Sequence, residues 1–501
     1  MGWVDAGGCG ILALAAALSL LQARRRDPLG ADEAYLWHGV QQVSRGRWPH
    51  RDFKSYEPGR YLWAALFARA FGAGLLPLRG AGHAFFAVGL AAALLCLRAR
   101  GLDWPATALA AFALSAIAHP QHKLFEHAWL LLAWSSCAWL LSAPSPVAWA
   151  CEGLVLGVSL LFGFNLFLYA SAGFALALAV ATTTGLLPFA AWRMEAFALG
   201  ASAGLVPMAA MALSPGFARR FYVRRIGTVI ARGESNLSLP LPWPWRPAPA
   251  QLLGLDPAHR RAFQWTFLLL PCLPLVAIAF VALRALPPAV DAAALLAAAT
   301  LGLAAFHHAA SRADPSHIVQ SLAPTCLLLL GCAAPFAPWG FAAIAALMLW
   351  LAWPSWHRAR PGDFERRRIG GCEIDVPNAQ ARLFDAVAEQ CGAGLPGNAV
   401  FAAPAYPAVY AALGLESPVY DTFCLYPAGD AAQADMIAEI ERVPVRIGIV
   451  SDAPIDGREE LRFSRTHPRV WAHLYANFEP TRREDIGADV FMFVRAGNDA
   501  S

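Results

Sequence analysis

Long apolar runs with few charges between them, repeated along residues 1–360, constrain this chain more than any other feature. A membrane-spanning helix needs about 20 mainly apolar residues, and flanking aromatic side chains can complete a shorter run. The chain is 57% hydrophobic and 15% charged, whereas soluble chains carry about 25% charged residues. The pattern predicts an α-helical polytopic membrane protein with about eleven spans. The candidate spans are Gly7–Gln22, His83–Leu97, Pro105–Ala118, Ala128–Leu141, Val147–Phe162, Phe167–Thr182, Glu195–Leu213, Phe263–Leu283, Asp291–Phe306, Leu322–Pro335 and Trp339–Trp353.

The charges divide the sequence into two unlike regions. Of the 39 basic and 35 acidic side chains, 13 and 21 fall within residues 361–501. We therefore expect a transmembrane domain over residues 1–357 and a mildly acidic soluble domain over residues 358–501. In the soluble region Pro, Gly and Asp punctuate short elements, which is typical of a small α/β domain. Strands are predicted at Ala399–Ala403, Val445–Val450 and Ala488–Arg495, and helices at Ala431–Arg442 and His467–Asn477.

The charge pattern argues against nucleic acid as a partner, because no Lys/Arg stripe is interleaved with exposed aromatic residues. Seven of the ten cysteines lie in apolar runs and are interpreted as small buried hydrophobic residues. The other three, Cys372, Cys391 and Cys424, lie in the soluble region, where a Cys372–Cys391 disulfide is a candidate if that region is outside the cytoplasm. No metal-ligand spacing is evident, so no cofactor is expected, and a divalent metal stays an open question.

The distribution of unusual residues predicts the orientation. A positive segment before the first apolar run is missing, which disfavours a signal peptide. With the amino terminus inside, the loops after spans one, three, seven and nine and the soluble domain lie outside. Arg98, Arg100, Arg193 and Arg284 then fall inside, as the positive-inside rule requires, but the triplet Arg24–Arg26 falls outside and contradicts it.

The first outer loop, residues 24–82, carries the first candidate site. Apolar side chains at helical spacing predict an interfacial helix over Asp32–Ser44 that stops at Gly46, and Pro58 opens a second one. Asp32 and Glu33 begin the first helix. Asp32 suits a helix N-cap, and a carboxylate held at the membrane surface also suits a general base; the two roles are compatible.

Two cations follow in the same loop. Lys54, one of only two lysines in the chain, and Arg60 lie among aromatic residues from Trp48 to Tyr61. Cations at a lipid interface can bind a phosphate. The alternative is that both side chains only reach towards lipid headgroups. A second outer loop, residues 214–262, combines a basic segment that includes Arg232 with the Pro/Trp-rich stretch Pro240–Pro249.

The order of motifs in the first loop resembles the GT-C fold glycosyltransferases. The carrying residues are Asp32-Glu33 after the first span, a helix ending in Gly, Pro49-x-x-Asp52-Phe53 and Glu57-Pro58-Gly59-x-Tyr61. The branch is that of bacterial relatives of protein O-mannosyltransferases and of the lipid A aminoarabinose transferase. The resemblance implies a multi-pass protein of the bacterial inner membrane, a polyprenyl-phosphate sugar as donor, and Asp32 with Glu33 as the catalytic acids. The next outer loop has Glu126 and Lys123 where the family often has a second Asp.

The third candidate site is the run His307–His317 between spans nine and ten. An Arg, an Asp and three His residues at a membrane boundary are costly to bury without partners. Arg312 is a candidate for holding the lipid phosphate, Asp314 for orienting it, and His317 for contacting phosphate or sugar hydroxyls. One alternative is that Asp314-Pro315 merely opens the next helix, and another is a His/Asp metal site.

These observations predict a membrane glycosyltransferase that inverts the anomeric carbon. With the donor that the resemblance implies, it moves a sugar from a polyprenyl phosphate to an extracytoplasmic acceptor, which is a glycan, a lipid or a protein. The alternative is a transporter or flippase with a soluble sensor domain. That class requires paired broken helices near the bilayer midplane, for which Asn165 with Gly163 and Gly173 is the main candidate. A non-catalytic envelope protein with the same fold is the second alternative.

Overall fold

The computed structural model describes residues 3–187, 191–227, 236–356, 363–391, 399–443 and 445–495. Within these ranges the chain forms two compact units. The helical unit comprises residues 1–23 and 79–358, and the loop–tail unit comprises residues 24–78 and 359–501. The first outer loop therefore belongs to the same compact unit as the carboxy-terminal residues, called the tail below.

Apolar helices make up the helical unit. Every one of the eleven predicted spans lies on such a helix. In the part of the chain that the structure describes, seven helices are long and apolar enough to cross a membrane, and four shorter ones are apolar. The number of spans stays a prediction. The helices are α1 Trp3–Arg24, α4 Leu75–Arg98, α5 Trp104–Ala116, α6 Leu124–Ser142, α7 Pro146–Phe162, α8 Phe164–Thr183, α9 Ala191–Ala212, α10 Pro215–Ala218, α11 Pro257–Ala282, α12 Ala292–Ser311, α13 Pro315–Gln320, α14 Leu322–Ala333 and α15 Trp339–Trp356.

Two of these helices, α7 and α9, approach each other backbone to backbone. Each carries two glycines four residues apart, Gly153 and Gly157 in α7 and Gly200 and Gly204 in α9. A Cβ atom at Gly153 would collide with the Phe197 carbonyl oxygen, and one at Gly204 would lie 2.7 Å from that of Leu154. Paired small residues of this kind allow membrane helices to pack closely.

The loop between α9 and α11 includes the predicted basic segment. After α10 the chain continues as a π-helical stretch, Arg219–Ile226. Phe217 and Phe221 anchor this stretch because they are fully buried, while Arg219 and Arg224 are exposed. The Pro240–Pro249 stretch forms neither helix nor strand. Arg232 lies outside the described residues.

In the loop–tail unit, the first loop forms two helices, α2 Ala31–Ser44 and α3 Pro58–Phe71. Both were predicted, including the stop near Gly46, which has a φ of 84°. Helix α2 is buried on most of its surface. Its Gln41 side chain donates to the Ala411 carbonyl at 3.0 Å, and Arg47, just after the helix, pairs with Glu416 at 2.6 Å.

The tail contains a hairpin and a four-stranded sheet. Strands β1 Phe364–Ile369 and β2 Cys372–Pro377 pair antiparallel; β3 Val400–Ala403, β4 Ile447–Ser451, β5 Glu479–Arg482 and β6 Val490–Val494 lie in the order β3-β4-β6-β5. Among the described strands of this sheet, only β3 and β4 run parallel. The tail helices are α16 Asn378–Cys391, α17 Pro407–Leu413, α18 Asp430–Arg442, α19 Phe463–Thr466 and α20 Pro468–Asn477.

The tail confirms the predicted α/β alternation. Its core is formed by inward side chains of β3, β4 and β6, such as Phe401, Val450 and Phe493, and by Leu474 of α20. Cys372 and Cys391 are both free thiols, so the candidate disulfide is absent. At the β1–β2 turn Gly370 has a φ of 57°, and a Cβ atom there would collide with the Trp37 ring of the first loop.

Candidate active site

Asp32 lies in the first turn of α2, and it is not the N-cap. The N-cap residue is Gly30, and the helix start has no side-chain cap hydrogen bond. Because the carboxylate does not cap the helix, its oxygen accepts a hydrogen bond from the Tyr56 hydroxyl instead. Its place in the first turn puts the carboxylate near the positive end of the helix dipole. Glu33 follows on the same turn and is buried.

Tyr56 connects Asp32 to an aromatic wall. Its backbone N–H donates to the Tyr61 hydroxyl at 3.0 Å, and its ring meets Tyr35 edge to face at 5.1 Å. Burial, followed by the negative charge of Asp32, raises the pKa of Tyr56 well above its ordinary value. The hydroxyl therefore stays protonated and acts as a donor to Asp32. Tyr35 stacks in turn on Phe423 of the tail, also at 5.1 Å.

The two predicted cations of the first loop have different surroundings. Arg60 is buried, and its guanidinium lies over the Tyr56 ring at 5.1 Å from the centroid, which is cation–π geometry. Lys54 is partly exposed, and its ammonium pairs with the Asp421 carboxylate of the tail at 2.5 Å. A phosphate at Lys54 would have to share or replace this carboxylate, so its predicted phosphate-binding role stays a prediction.

In the helical unit, the other five predicted site residues form one polar cluster. Lys123 and Glu126 pair at 3.2 Å where α6 begins. Arg312 donates to Asp314 at 2.9 Å between α12 and α13. His308 connects the two pairs: it lies within electrostatic range of Lys123 and Glu126, and its ring is 4.9 Å from that of His317.

Hydrogen bonds fix the orientation of His317 in this cluster. Its Nδ1 lies 2.9 Å from an Asp314 oxygen, and its Nε2 lies 3.1 Å from the Asn236 amide nitrogen. Since an amide nitrogen can only donate, Nε2 accepts and Nδ1 carries the proton donated to Asp314. These two contacts hold the ring of His317 in one tautomer. The neighbouring His308 makes a 3.0 Å contact from Nε2 to the Gln320 side-chain oxygen.

Asp314 has the structural role that the alternative interpretation predicted. It is the N-cap of α13, where its side chain accepts from the His317 backbone N–H at 2.9 Å. Burial opposes its ionisation, but hydrogen bonds from His317 and the charge of Arg312 outweigh burial and hold its pKa at about 2. Asp314 is therefore a fixed negative charge that orients Arg312 and His317. The Arg312 guanidinium also donates to the Leu237 carbonyl at 3.0 Å.

Within the described ranges, no three His, Cys, Asp or Glu side chains are grouped so that they could hold a metal ion. The predicted site residues thus fall into two groups. One is Asp32, Glu33, Lys54 and Arg60 in the loop–tail unit, and the other is Lys123, Glu126, Arg312, Asp314 and His317 in the helical unit.

Sequence reasoning missed the partners of the first-loop residues. Tyr56 directly precedes the Glu57-Pro58-Gly59 motif but received no role, because nothing local shows that it lies beside Asp32, 24 positions earlier in the chain. Asp421 and Phe423 gave little signal, because they contact residues more than 360 positions earlier in the chain.

No protein-family model matches the chain, and no curated protein sequence is similar to it. Solved structures do match over almost the whole length. The crystal structure of ArnT from Cupriavidus metallidurans in the apo state has a TM-score of 0.50 and 14% identity, covering 98% of each chain. ArnT from Cupriavidus metallidurans bound to undecaprenyl phosphate has a TM-score of 0.52 and 15% identity, covering 97% of this chain and 98% of that chain.

The chain has the ArnT fold. The similarity includes both the apolar helices and the tail with its small sheet, since it extends over nearly all of both chains. It confirms the predicted fold class, a GT-C-like helical membrane protein followed by a small α/β domain. At 15% identity the similarity establishes the fold and not the substrates.

Proposed function

We propose that this protein is a membrane glycosyltransferase that moves a sugar from a polyprenyl phosphate to an acceptor outside the cytoplasm. Nucleotide sugars are absent there, so the donor must be lipid-linked. The ArnT structure bound to undecaprenyl phosphate has the same fold, which supports this donor class. The acceptor hydroxyl belongs to a glycan, a lipid or a protein.

The observation that carries the proposal is the state of Asp32. Asp32 lies in the first turn of α2 without being its N-cap, and its carboxylate accepts a hydrogen bond from the Tyr56 hydroxyl, which holds it in one orientation. A positioned carboxylate of this kind suits a general base that takes the proton of the acceptor hydroxyl. Glu33, buried in the same turn, is the second acid of the proposed pair.

The cations have the complementary role of stabilising the departing phosphate. Arg312, oriented by Asp314, and Lys123, paired with Glu126, are the candidates in the helical unit. Arg60 is a further candidate in the loop–tail unit. Positive charge aimed at the oxygen that gains electrons stabilises the transition state. His317, whose ring orientation is fixed by Asp314 and Asn236, is the candidate for contacting a phosphate or a sugar hydroxyl.

The reaction is a single displacement. The acceptor oxygen forms a bond to the anomeric carbon while the bond from that carbon to the phosphate oxygen breaks. The proton passes to Asp32, and the polyprenyl phosphate leaves with the electron pair. An attack from the face opposite the leaving group inverts the anomeric centre, as in inverting glycosidases.

The test is Asp32→Asn in the purified full chain, supplied with a polyprenyl-phosphate sugar. Loss of a general base lowers transfer by about 10²- to 10⁴-fold. Asp52→Asn is the matched control, since Asp52 is an exposed acid of the same loop that pairs with its neighbour Arg51. Full transfer by Asp32→Asn would rule out the proposed base. Mass spectrometry of envelope glycans and glycolipids from a deletion strain, searched for one missing sugar, identifies the acceptor.

The transporter alternative predicts a different result in the same experiment. A flippase would move the lipid-linked sugar across a proteoliposome membrane without breaking the bond between sugar and phosphate. Release of free polyprenyl phosphate together with a glycosylated acceptor supports the transferase. Translocation of intact donor, without release of polyprenyl phosphate, would rule out the transferase and support the transporter.

A further inference from the structure

A four-residue segment of the tail, Tyr420–Phe423, contacts the first loop through Tyr420, Asp421 and Phe423; we call this segment the tail clasp. The Tyr420 hydroxyl donates to the His50 carbonyl at 2.9 Å, and its carbonyl accepts from the Lys54 N–H at 2.9 Å. The Asp421 carboxylate pairs with the Lys54 ammonium at 2.5 Å. Phe423 stacks on Tyr35 at 5.1 Å. Backbone, ionic and aromatic contacts thus all converge on one short segment.

The clasp is itself fixed to the tail. The Tyr420 N–H donates to the Glu439 side chain of α18 at 2.9 Å, and the Phe423 N–H donates to Asp421 at 3.0 Å. The next residue, Cys424, is buried in the tail core, and its N–H donates to the Pro404 carbonyl at 2.9 Å. A segment anchored in this way can hold the first loop in a defined position.

The gripped residues lie on both sides of the proposed base. Lys54 is two residues before Tyr56, whose hydroxyl donates to Asp32. Tyr35 is one helical turn after Asp32, on the same helix, and its ring contacts the Tyr56 ring. Movement of either Lys54 or Tyr35 would therefore change the geometry of the Tyr56–Asp32 hydrogen bond.

We propose that the tail clasp is a positioning element for the proposed base, and that Lys54 serves this purpose through Asp421 as an ionic tie between loop and tail. The inference rests on the proposed function and extends it: residues 420–423 act through the first loop and do not touch the reacting atoms. It also gives Lys54 a role different from phosphate binding, so the two roles can be separated by experiment.

The experiment uses three variants of the full chain: Lys54→Asp, Asp421→Lys and the double variant carrying both changes. A positioning tie predicts that each single variant lowers kcat by about tenfold with little change in the KM for the donor, since small displacements at a reacting centre are costly. The double variant restores an ion pair with reversed polarity and is expected to recover kcat to within about threefold of the original.

If Lys54 instead binds the donor phosphate, Lys54→Asp raises the KM for the donor and the double variant stays impaired, which would overturn the proposal. Asp385→Asn is the matched control, because Asp385 forms an ion pair of the same length with Arg367 elsewhere in the tail. Its kinetics are expected to match those of the unmodified chain. Asp421→Glu keeps a carboxylate at this position. A kcat higher than that of Asp421→Lys further supports an ionic tie.

Hydrogen–deuterium exchange of residues 50–56 gives a readout that does not depend on activity. Exchange is expected to increase in both single variants, to return to its original rate in the double variant, and to be unchanged in Asp385→Asn. If the unmodified chain transfers no sugar, the proposed function fails while this exchange pattern still tests the clasp. Unchanged exchange in both single variants, in chains that keep their thermal midpoint, would overturn the clasp alone.

Discussion

Tyr56 determines the surroundings of the Asp32 carboxylate at the scale of a single residue. Its hydroxyl donates to Asp32, its ring contacts Tyr35, and the Arg60 guanidinium lies over its face. A donor stabilises the charged form of a carboxylate and limits the directions from which it can accept a proton. Tyr56 therefore adjusts both the basicity and the direction of the proposed base.

Tyr56→Phe keeps the ring contacts and removes only the hydrogen bond. We expect kcat to fall by about tenfold, and the acidic limb of the pH–rate profile to move to higher pH, because the charged form of the base has lost a donor. The measurement is transfer rate against pH under saturating donor. Tyr61→Phe, which removes a neighbouring hydroxyl that accepts from the Tyr56 backbone N–H, should leave the limb where it is.

His467 gives the loop–tail unit a dependence on pH. It is buried against Phe463, with ring centroids 4.8 Å apart. Burial, partly opposed by Asp421, lowers its pKa to about 4. The unfolded chain therefore binds a proton at a higher pH than the folded chain does, and stability falls as pH is lowered from about 6.5 towards 4.

We expect the unit to lose roughly 2 kcal/mol of stability between pH 7 and pH 5 through His467. His467→Gln should flatten this part of the profile. Thermal midpoints of the tail, followed by tryptophan fluorescence at the two pH values, provide the comparison. An equally steep profile in the variant would show that another group causes the dependence.

Asp314 makes the stability of the protein depend on pH in a more acidic range than His467 does. Its lowered pKa of about 2 means that its contribution is present above the ordinary value near 4 and disappears as pH falls towards 2. Asp314→Asn should cost roughly 2 kcal/mol at neutral pH. The gap between the thermal midpoints of the two proteins is expected to be constant from pH 7 to 5 and to narrow below pH 4; a gap that stays constant at pH 3 would contradict this.

At the scale of elements, close packing of α7 and α9 depends on hydrogen as the side chain. A Cβ atom at Gly200 would collide with the Ala150 backbone. We expect Gly200→Ala to lower stability by about 1–3 kcal/mol, which is typical of overpacking. Gly10→Ala is the matched control, since Gly10 of α1 has open space around it and alanine favours a helix. Thermal midpoints in the same detergent compare them, and equal midpoints would contradict this packing.

Elements with a strong periodic pattern could be predicted from the sequence, and exposed ones could not. The apolar helices and the buried strands β3, β4 and β6 follow from runs of Val, Ile, Phe, Ala and Leu. The β1–β2 hairpin was missed because β1 reads Phe-Glu-Arg-Arg-Arg-Ile, without apolar alternation. Strand β5, which is fully exposed and contains Pro480, lies at the edge of its sheet and buries no side chain.

For the whole molecule, local patterns located the proposed acids and cations, but not the distant partners of those in the first loop. Asp32 was predicted from its motif at a helix start, while its N-cap role was wrong because Gly30 fills that position. The Lys54–Asp421 pair joins residues 367 positions apart. The sequence around Lys54 does not show whether its ammonium binds a phosphate or pairs with a carboxylate. The answer depends on which distant segment packs against Lys54.

The joint unit of first loop and tail leads to a prediction for a truncated chain. Without residues 359–501, the loop loses the contact of Trp37 with Gly370, the acceptor for Gln41 and the clasp on Lys54. The apolar helices keep their sequence, so the truncated chain should still enter the membrane. Its first loop, however, should become sensitive to trypsin at Arg45 and Arg47, whose partner Glu416 is gone.

Limited proteolysis of the purified chains tests this, with fragment masses identifying the cut sites. The matched control carries a cleavable insert between residues 358 and 363 and is cut only after folding, so that the tail stays bound by its own contacts. It should resist trypsin in the first loop as the intact chain does. If the truncated chain resisted equally, the first loop would be stable by itself, and the tail could not be the element that holds the proposed base in place.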